Sequence, residues 1–111
     1  ALPEYDTAMY THKKMKTDSE NSLVALTELY DALSRLDSFN IADVESVVKD
    51  YVAEKEIKNG QALWPLRTAV SGKQMTPGGA YEIMEILGKE ESLNRIRTGI
   101  AMLTEDVNAA K

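Results

Sequence analysis

Apolar residues recur along this chain every three or four positions, which is the spacing of one face of an α-helix. No stretch alternates between apolar and polar residues in the way that a half-buried β-strand does. The pattern therefore predicts an all-α fold, a compact bundle of about five or six short-to-medium helices with short connections.

Capping signals predict where the helices of the first half begin and end. Residues 4–16 suggest a short helix with a basic end. Thr17 is followed three residues later by Glu20, which is the spacing of a capping box, so we expect a helix from Thr17 to about Leu36. Asn40 is expected to cap the helix that follows it, because its amide oxygen can accept from a first-turn N–H group.

Glycine and proline divide the second half of the chain. Residues 59–60, Asn-Gly, predict a break, and the next helical stripe ends at Gly72, a residue suited to the left-handed conformation after a helix. Thr76 followed by Pro77 predicts a helix start, a hydroxyl cap and then a proline whose missing N–H costs nothing there. Gly88 is expected to end that helix, and the last helix follows.

Pro65 interrupts an otherwise regular helical stripe. If it lies inside a helix, the carbonyl of Gln61 loses its N–H partner and the helix kinks. Arg67 then lies beside the core stripe, and residues 76–79 place free N–H groups at the next helix start. An arginine near open N–H groups is a reasonable site for a base edge or a phosphate. The alternative is a kinked helix, a salt-bridged arginine and an ordinary capped turn.

Length and residue types exclude several classes of protein. The chain has 111 residues, enough for one small domain or two joined subdomains. It has no cysteine, which excludes disulfides, thiolate zinc sites and cysteine nucleophiles, and its one histidine, His12, nearly excludes zinc bound through histidine. No apolar run approaches the roughly 20 residues that cross a bilayer, and no apolar signal-peptide core is present. We expect a soluble, cytoplasmic protein.

The charge is uneven along the chain. The net charge is −5, with ten acids and five bases in residues 1–50 and eight of each in residues 51–111. Indiscriminate nucleic-acid binding depends on neutralising phosphates, so an acidic chain counts against it. A local basic patch that contacts a few bases remains compatible with this charge.

No enzyme chemistry is visible in the residues themselves. Three carboxylate pairs lie where exposed helical faces are expected: Glu82 with Glu85, Glu90 with Glu91, and Asp43 with Glu45. No phosphate-binding loop, dinucleotide fingerprint or nucleophile elbow is present. The pattern therefore predicts neither a catalytic residue nor a metal or cofactor site.

Residues 64–96 nevertheless carry a family likeness. The run WPLRTAVSGKQMTPGGAYEIMEILGKEESLNRI closely resembles the C-terminal end of glutamyl-tRNA synthetases, and a looser likeness extends over essentially the whole chain. The matching residues are Pro65-Leu66-Arg67, Ala69, Ser71-Gly72, Thr76-Pro77, Glu82-Ile83, Leu87-Gly88-Lys89-Glu90 and Arg95-Ile96.

This resemblance implies an anticodon-binding, all-helical domain whose partner is tRNA-Glu. Carried over by position, Arg67 is the main candidate for a base contact, and Thr76 and Pro77 supply the turn beside it. Gly78 and Gly79 stand in the region where family members with a shorter loop place a bulky apolar residue after the turn, and we include both as candidates. Four basic residues are candidate phosphate contacts, with solvated surface positions as the alternative: Lys73, Lys89, Arg95 and Arg97.

The resemblance also implies that this chain is one piece of a larger ligase. Residues 14–17 superficially resemble the ATP-binding loop of class I synthetases, but no strand-rich nucleotide fold fits in this length. We expect a missing catalytic domain in cis, which uses ATP and glutamate, and no DNA or membrane partner. Residues 1–58 are expected to form a connecting helical portion and residues 59–111 the anticodon-reading end. The alternative is a stand-alone helical interaction or bracing domain that binds no RNA.

Overall fold

The computed structural model describes residues 7–12, 16–72 and 79–110. A 3₁₀ helix at Thr7–Tyr10 precedes four α-helices, labelled α1 (Ser19–Ser34), α2 (Ile41–Lys55), α3 (Asn59–Ser71) and α4 (Ala80–Ala110). These three ranges contain no strand, and the all-α prediction is confirmed. None of the helices in them is long and apolar enough to cross a membrane.

The described ranges hold four α-helices where five or six were predicted. The first predicted helix is, in its described part, a single 3₁₀ turn followed by an antiparallel bridge between His12 and Thr17. The helices predicted on either side of Gly88 are both present within α4, which consists of two helical segments joined at that glycine. Gly88 still interrupts it, since its φ of 85° and ψ of 170° are not helical.

The predicted capping box at Thr17 and Glu20 is wrong by one residue. Asp18 caps α1: its carboxylate accepts from the Asn21 N–H at 2.8 Å, and the Asn21 amide oxygen accepts from the Asp18 N–H at 2.8 Å. Thr17 is buried, and its hydroxyl donates to the Tyr10 carbonyl at 2.6 Å. The prediction failed because the Thr17 hydroxyl oxygen accepts the His12 N–H at 3.1 Å instead of an N–H of α1.

The other boundary signals fall close to the structure. The Asn40 side chain caps α2 by accepting from the Asp43 N–H at 2.9 Å, as predicted. The break predicted at residues 59–60 falls slightly earlier, at Glu56, whose φ of 54° is left-handed, so the Asn-Gly pair forms the first turn of α3. Gly72 ends α3 in the left-handed conformation, with φ of 67°, also as predicted.

The four α-helices enclose one hydrophobic core, and α4 packs against α1, α2 and α3. Full burial of a leucine or isoleucine side chain stabilises the fold by about 1.5–3 kcal/mol. The buried apolar residues are Tyr10, Ala25, Leu26, Leu29, Leu33, Val44, Val48, Tyr51, Ala62, Leu66, Ala69, Val70, Ala80, Met84, Ile96 and Leu103. These contacts fix the relative positions of α3 and α4, which matter for the site described below.

A polar cluster joins α1 to α2 at the edge of this core. The Glu28 carboxylate accepts from the Tyr51 hydroxyl at 2.9 Å and lies 3.1 Å from the Lys55 ammonium. The hydrogen bonds from Lys55 and then Tyr51 hold the pKa of Glu28 below its ordinary value of 4.5. Burial, followed by the bond to Glu28, raises the pKa of Tyr51 above its ordinary value of 10.0. The folded protein therefore favours a charged Glu28 and a neutral Tyr51.

This cluster predicts an acid-sensitive contribution to stability. Because the folded-state pKa of Glu28 is lowered, its contribution is present above pH 4.5 and is lost as the pH falls through the lowered pKa. We expect Glu28→Gln to reduce the free energy of unfolding at pH 7 by roughly 0.2–1 kcal/mol, since the pair is partly exposed. Its urea-unfolding free energy should then fall less steeply below pH 4.5 than that of the wild type.

The matched control for this titration is Glu105→Gln, which removes the same charge from an exposed position on α4. That variant should keep the wild-type slope below pH 4.5. Equal slopes for all three proteins would show that the bonds to Glu28 contribute nothing to acid stability.

Candidate nucleic-acid interface

Pro65 lies within α3, and its ring is buried. The helical backbone runs from Asn59 to Ser71 on both sides of it. A proline at this position cannot donate to the carbonyl four residues earlier, that of Gln61, and it fixes its own φ near the helical value. Pro65 and Leu66 are buried, while Trp64 and Arg67 on either side of them are partly exposed.

Arg67 and Trp64 pair on the outer side of α3. The guanidinium carbon of Arg67 lies 4.8 Å from the centre of the Trp64 ring, within the range of a cation–π contact. The indole N–H of Trp64 donates to the Met9 carbonyl at 2.8 Å, and the His12 ring packs at 4.2 Å between centroids. The N-terminal segment thus holds Trp64, and Trp64 holds Arg67. A side chain that is ordered beforehand loses less entropy when it binds.

A groove of about 410 Å³ opens beside this pair, between α3 and the start of α4. It is lined by Gly60, Leu63, Trp64, Arg67, Gly79, Ala80, Tyr81 and Glu82. Two aromatic rings, a guanidinium and a carboxylate therefore meet in one depression. Unstacked bases of single-stranded RNA bind to proteins by stacking on aromatic rings or guanidinium planes and by hydrogen bonds to their edges.

The first turn of α4 supplies the polar end of this groove. The Gly79 carbonyl accepts the Ile83 N–H at 3.1 Å, which begins the helix. A Cβ at Gly79 would lie only 2.8 Å from a carboxylate oxygen of Glu82, so that carboxylate fills the space beside the glycine. A carboxylate at a helix N-terminus is favoured by the helix dipole, and it can accept a hydrogen bond from an amino group.

Tyr81 contributes a hydroxyl that stays protonated. Burial raises its pKa above the ordinary value of 10.0, and the nearby carboxylates of Glu45 and Glu82 raise it further. The hydroxyl is therefore neutral near pH 7 and keeps its proton to donate. The groove is thus lined by a guanidinium that can donate, at Arg67, and a carboxylate that can accept, at Glu82, with the Tyr81 side chain beside them.

The structure brings together some of the residues that the sequence predicted. Arg67 and Gly79 both border the groove. Thr76, Pro77 and Gly78, together with the candidate phosphate contact Lys73, lie outside the described residues, as does the helix start predicted at Thr76. Their roles stay predictions.

The remaining basic candidates differ in what they contact. The Lys89 ammonium donates to the Leu36 carbonyl at 2.7 Å, where α1 has just ended. Arg95 donates to the Val70 carbonyl at 2.6 Å and is mostly buried. Arg97 is exposed and donates to the Asn94 amide oxygen at 3.0 Å. Lys89 and Arg95 already bind backbone carbonyls, whereas Arg97 lies open to solvent.

Sequence reasoning missed Trp64, Tyr81 and Glu82 as groove residues. Trp64 had a usable signal, because residues three apart on a helix share a face and a tryptophan there can stack on Arg67. Tyr81 and Glu82 had no such signal, since only the packing of α4 on α3 brings them to the groove. Among the described residues, no three histidine or acidic side chains are placed to hold a metal ion.

Known proteins match this chain along most of its length. The family model described as the anticodon-binding domain matches residues 1–100. A glutamate–tRNA ligase from Lachnoclostridium phytofermentans is 63% identical over 106 residues, which are 96% of this chain and 22% of that protein. The corresponding ligase of Clostridium tetani is 50% identical over 107 residues, again 96% of this chain and 22% of that protein.

A solved structure shares the fold as well. The crystal structure of a glutamate–tRNA ligase from Elizabethkingia meningosepticum, in complex with its amino acid, superposes with a TM-score of 0.77 at 29% identity. The match covers 93% of this chain and 20% of that one. The chain therefore spans about a fifth of the length of these relatives.

Proposed function

Because the chain belongs to the anticodon-binding domain family, we propose that it binds the anticodon bases of tRNA-Glu on behalf of a glutamate–tRNA ligase. Arg67 carries this proposal: it belongs to the family-like motif and lies on Trp64 at the edge of a groove with aromatic walls. The chain alone would catalyse nothing. ATP and glutamate would be used by a catalytic domain elsewhere in the same cytoplasmic ligase.

Base recognition would combine stacking with directed hydrogen bonds. An unstacked base that enters the groove meets the rings of Trp64 and Tyr81 and the guanidinium of Arg67. Base–aromatic stacking contributes about 1–3 kcal/mol per base, and it tolerates any base. Selectivity would come from the Arg67 donors and the Glu82 acceptor, because a wrong base leaves these groups without partners. Thr76, Pro77, Gly78 and Gly79 would supply the adjacent turn.

Attraction to RNA phosphates would add a smaller, sequence-independent contribution to the binding free energy. Arg97 and Lys73 are the candidates that we propose for it, together with the weaker candidates Lys89 and Arg95. A net charge of −5 limits the attraction to the phosphates of unrelated RNA. The anticodon-reading end would lie within residues 59–111, and residues 1–58 would connect it to the rest of the ligase.

A titration with two RNA hairpins tests this function. One hairpin carries the tRNA-Glu anticodon stem-loop and the other the same stem with permuted anticodon bases. Both are titrated at about 50 mM and about 200 mM salt, because phosphate contacts weaken steeply over that interval. We expect tighter binding of the first hairpin at both concentrations. The binding should be weak in absolute terms, since contacts from the rest of the ligase are missing.

Two outcomes would contradict the proposal. Equal binding of both hairpins that collapses at the higher salt would reduce the interaction to phosphate attraction. Absence of binding at both salt concentrations would favour a domain that braces its ligase without touching RNA.

A further inference from the structure

Arg95 lies on α4 beyond the break at Gly88 and reaches back to α3. Its Nη1 donates to the Val70 carbonyl at 2.6 Å, and its Nε donates to a Glu91 carboxylate oxygen at 2.8 Å. Only 18% of the side chain is exposed. Both of these donors are thus used inside the protein, in a charge-assisted arrangement that is stronger than a neutral hydrogen bond.

The Val70 carbonyl belongs to the last turn of α3, where carbonyls have no intrahelical donor. Two bonds close this turn locally: the Gly72 N–H donates to the Thr68 carbonyl at 2.7 Å, and the Ser71 hydroxyl donates to the Arg67 carbonyl at 2.5 Å. Arg95 reaches the same turn from a different helix. It therefore ties the turn that begins at Arg67 to the body of the bundle.

Glu91 sets the orientation of Arg95 from one turn earlier on α4. Its carboxylate is 38% exposed, and the hydrogen bond from Arg95 lowers its pKa below the ordinary value of 4.5. It therefore stays ionised near neutral pH and keeps the guanidinium directed at α3. Glu91, Arg95 and Val70 form a chain of contacts from solvent to the end of α3.

We propose that Arg95 is a positioning residue, which holds the last turn of α3 through the Val70 carbonyl and so sets the direction of Arg67 in the groove. This rests on the function proposed above. These bonds use two of the five N–H groups of the guanidinium, and the small exposed fraction of the side chain limits the access of a phosphate to the others. The chain has an exposed arginine two residues away, Arg97, that can meet a phosphate without breaking any contact to α3.

Three variants separate positioning from phosphate binding. Arg95→Lys keeps the charge but lacks the planar guanidinium that donates to the Val70 carbonyl and to Glu91 at the same time. Glu91→Ala leaves Arg95 intact and removes the group that orients it. Arg97→Met removes a charge of the same kind from an exposed neighbour. Each is titrated with the two hairpins over a series of salt concentrations, below its own melting temperature.

We expect Arg95→Lys to lower the preference for the cognate hairpin about fivefold, the effect of one lost hydrogen bond. The affinity of this variant should depend on salt concentration as that of the wild type does. Glu91→Ala should also lower the preference for the cognate hairpin, by less than Arg95→Lys does. Arg97→Met should do the opposite, with a shallower salt dependence and an unchanged preference.

Tryptophan fluorescence gives a readout that needs no RNA. Trp64 is the single tryptophan of the chain, and Arg67 lies on its ring. If Arg95 sets the direction of Arg67, the emission of free Arg95→Lys should shift toward that of Arg67→Ala. A role in folding alone would lower the melting temperature and leave the emission of the folded protein unchanged.

The positioning role would be overturned if Arg95→Lys had the same Trp64 emission and the same preference for the cognate hairpin as the wild type. Tighter, more salt-dependent binding of both hairpins by Glu91→Ala would also overturn it, because that result means a released arginine reaches phosphate. A wild-type protein that prefers neither hairpin would instead overturn the anticodon proposal, and the emission of Trp64 would still decide whether Arg95 directs Arg67.

Discussion

Replacing Arg67 by alanine should weaken binding of the cognate anticodon hairpin roughly 10- to 100-fold, with a much smaller effect on the permuted hairpin. A good base contact is worth about 1–3 kcal/mol, and each 1.4 kcal/mol is about tenfold in affinity. The guanidinium lies 4.8 Å from the Trp64 ring centre, so under the proposed function it would lose little side-chain entropy on contacting a base. The two dissociation constants, measured by fluorescence anisotropy of labelled hairpins, check this.

Two further variants show what the arginine contributes. Arg67→Lys keeps the charge but lacks the planar fork, so it should recover the phosphate attraction and little of the preference. Arg35→Ala removes an equal charge from the end of α1, where Arg35 is paired with Asp31 at 2.6 Å and is exposed. That control should bind both hairpins as the wild type does. An Arg67→Ala protein that weakens both hairpins equally would mean that the residue supplies charge and no base recognition.

Replacing Gly88 by alanine should destabilise the fold by about 1–3 kcal/mol, the cost of an L-residue in a backbone region that only glycine populates. Gly88 has φ of 85° and ψ of 170°, and beyond the adjoining backbone no atom lies within 4 Å of where a Cβ would stand. The loss therefore comes from the backbone itself and not from a steric clash. Thermal unfolding followed by circular dichroism should show a melting temperature lower by roughly 5–15 °C.

Gly60→Ala is the matched control for this change. Gly60 lies in the first turn of α3 and is not among the glycines with positive φ. Alanine has the higher helix propensity by about 1 kcal/mol, so the melting temperature of this variant should stay the same or rise. If Gly88→Ala had the same melting temperature as Gly60→Ala, the break in α4 would be unimportant for stability, and alanine would simply continue the helix.

The Gly88 break also matters for the interface. It redirects α4 so that Ser92 and Arg95 reach back, to the Met84 carbonyl at 3.2 Å and to the Val70 carbonyl at 2.6 Å. The sequence indicated an interruption at this glycine. It did not indicate that the segment beyond the break would contact α3 through Arg95.

The sequence alone was sufficient for several features that depend on neighbours within about four residues. The helical period, the Asn40 cap and the glycines at positions 72 and 88 all follow from local spacing, and the structure has each of them. The motif around Arg67 was likewise enough to indicate the family, because residue type and spacing matched together.

Tertiary structure alone decided the contacts between residues far apart in the chain. The Thr17 hydroxyl bonds Tyr10, the Trp64 indole bonds Met9, and Arg95 bonds Val70. Local spacing determines which backbone groups can bond within a turn, so caps and breaks such as those at Asn40, Gly72 and Gly88 can be read from the sequence. A side chain that has several possible partners takes the one that core packing brings within reach, and no local pattern records that choice.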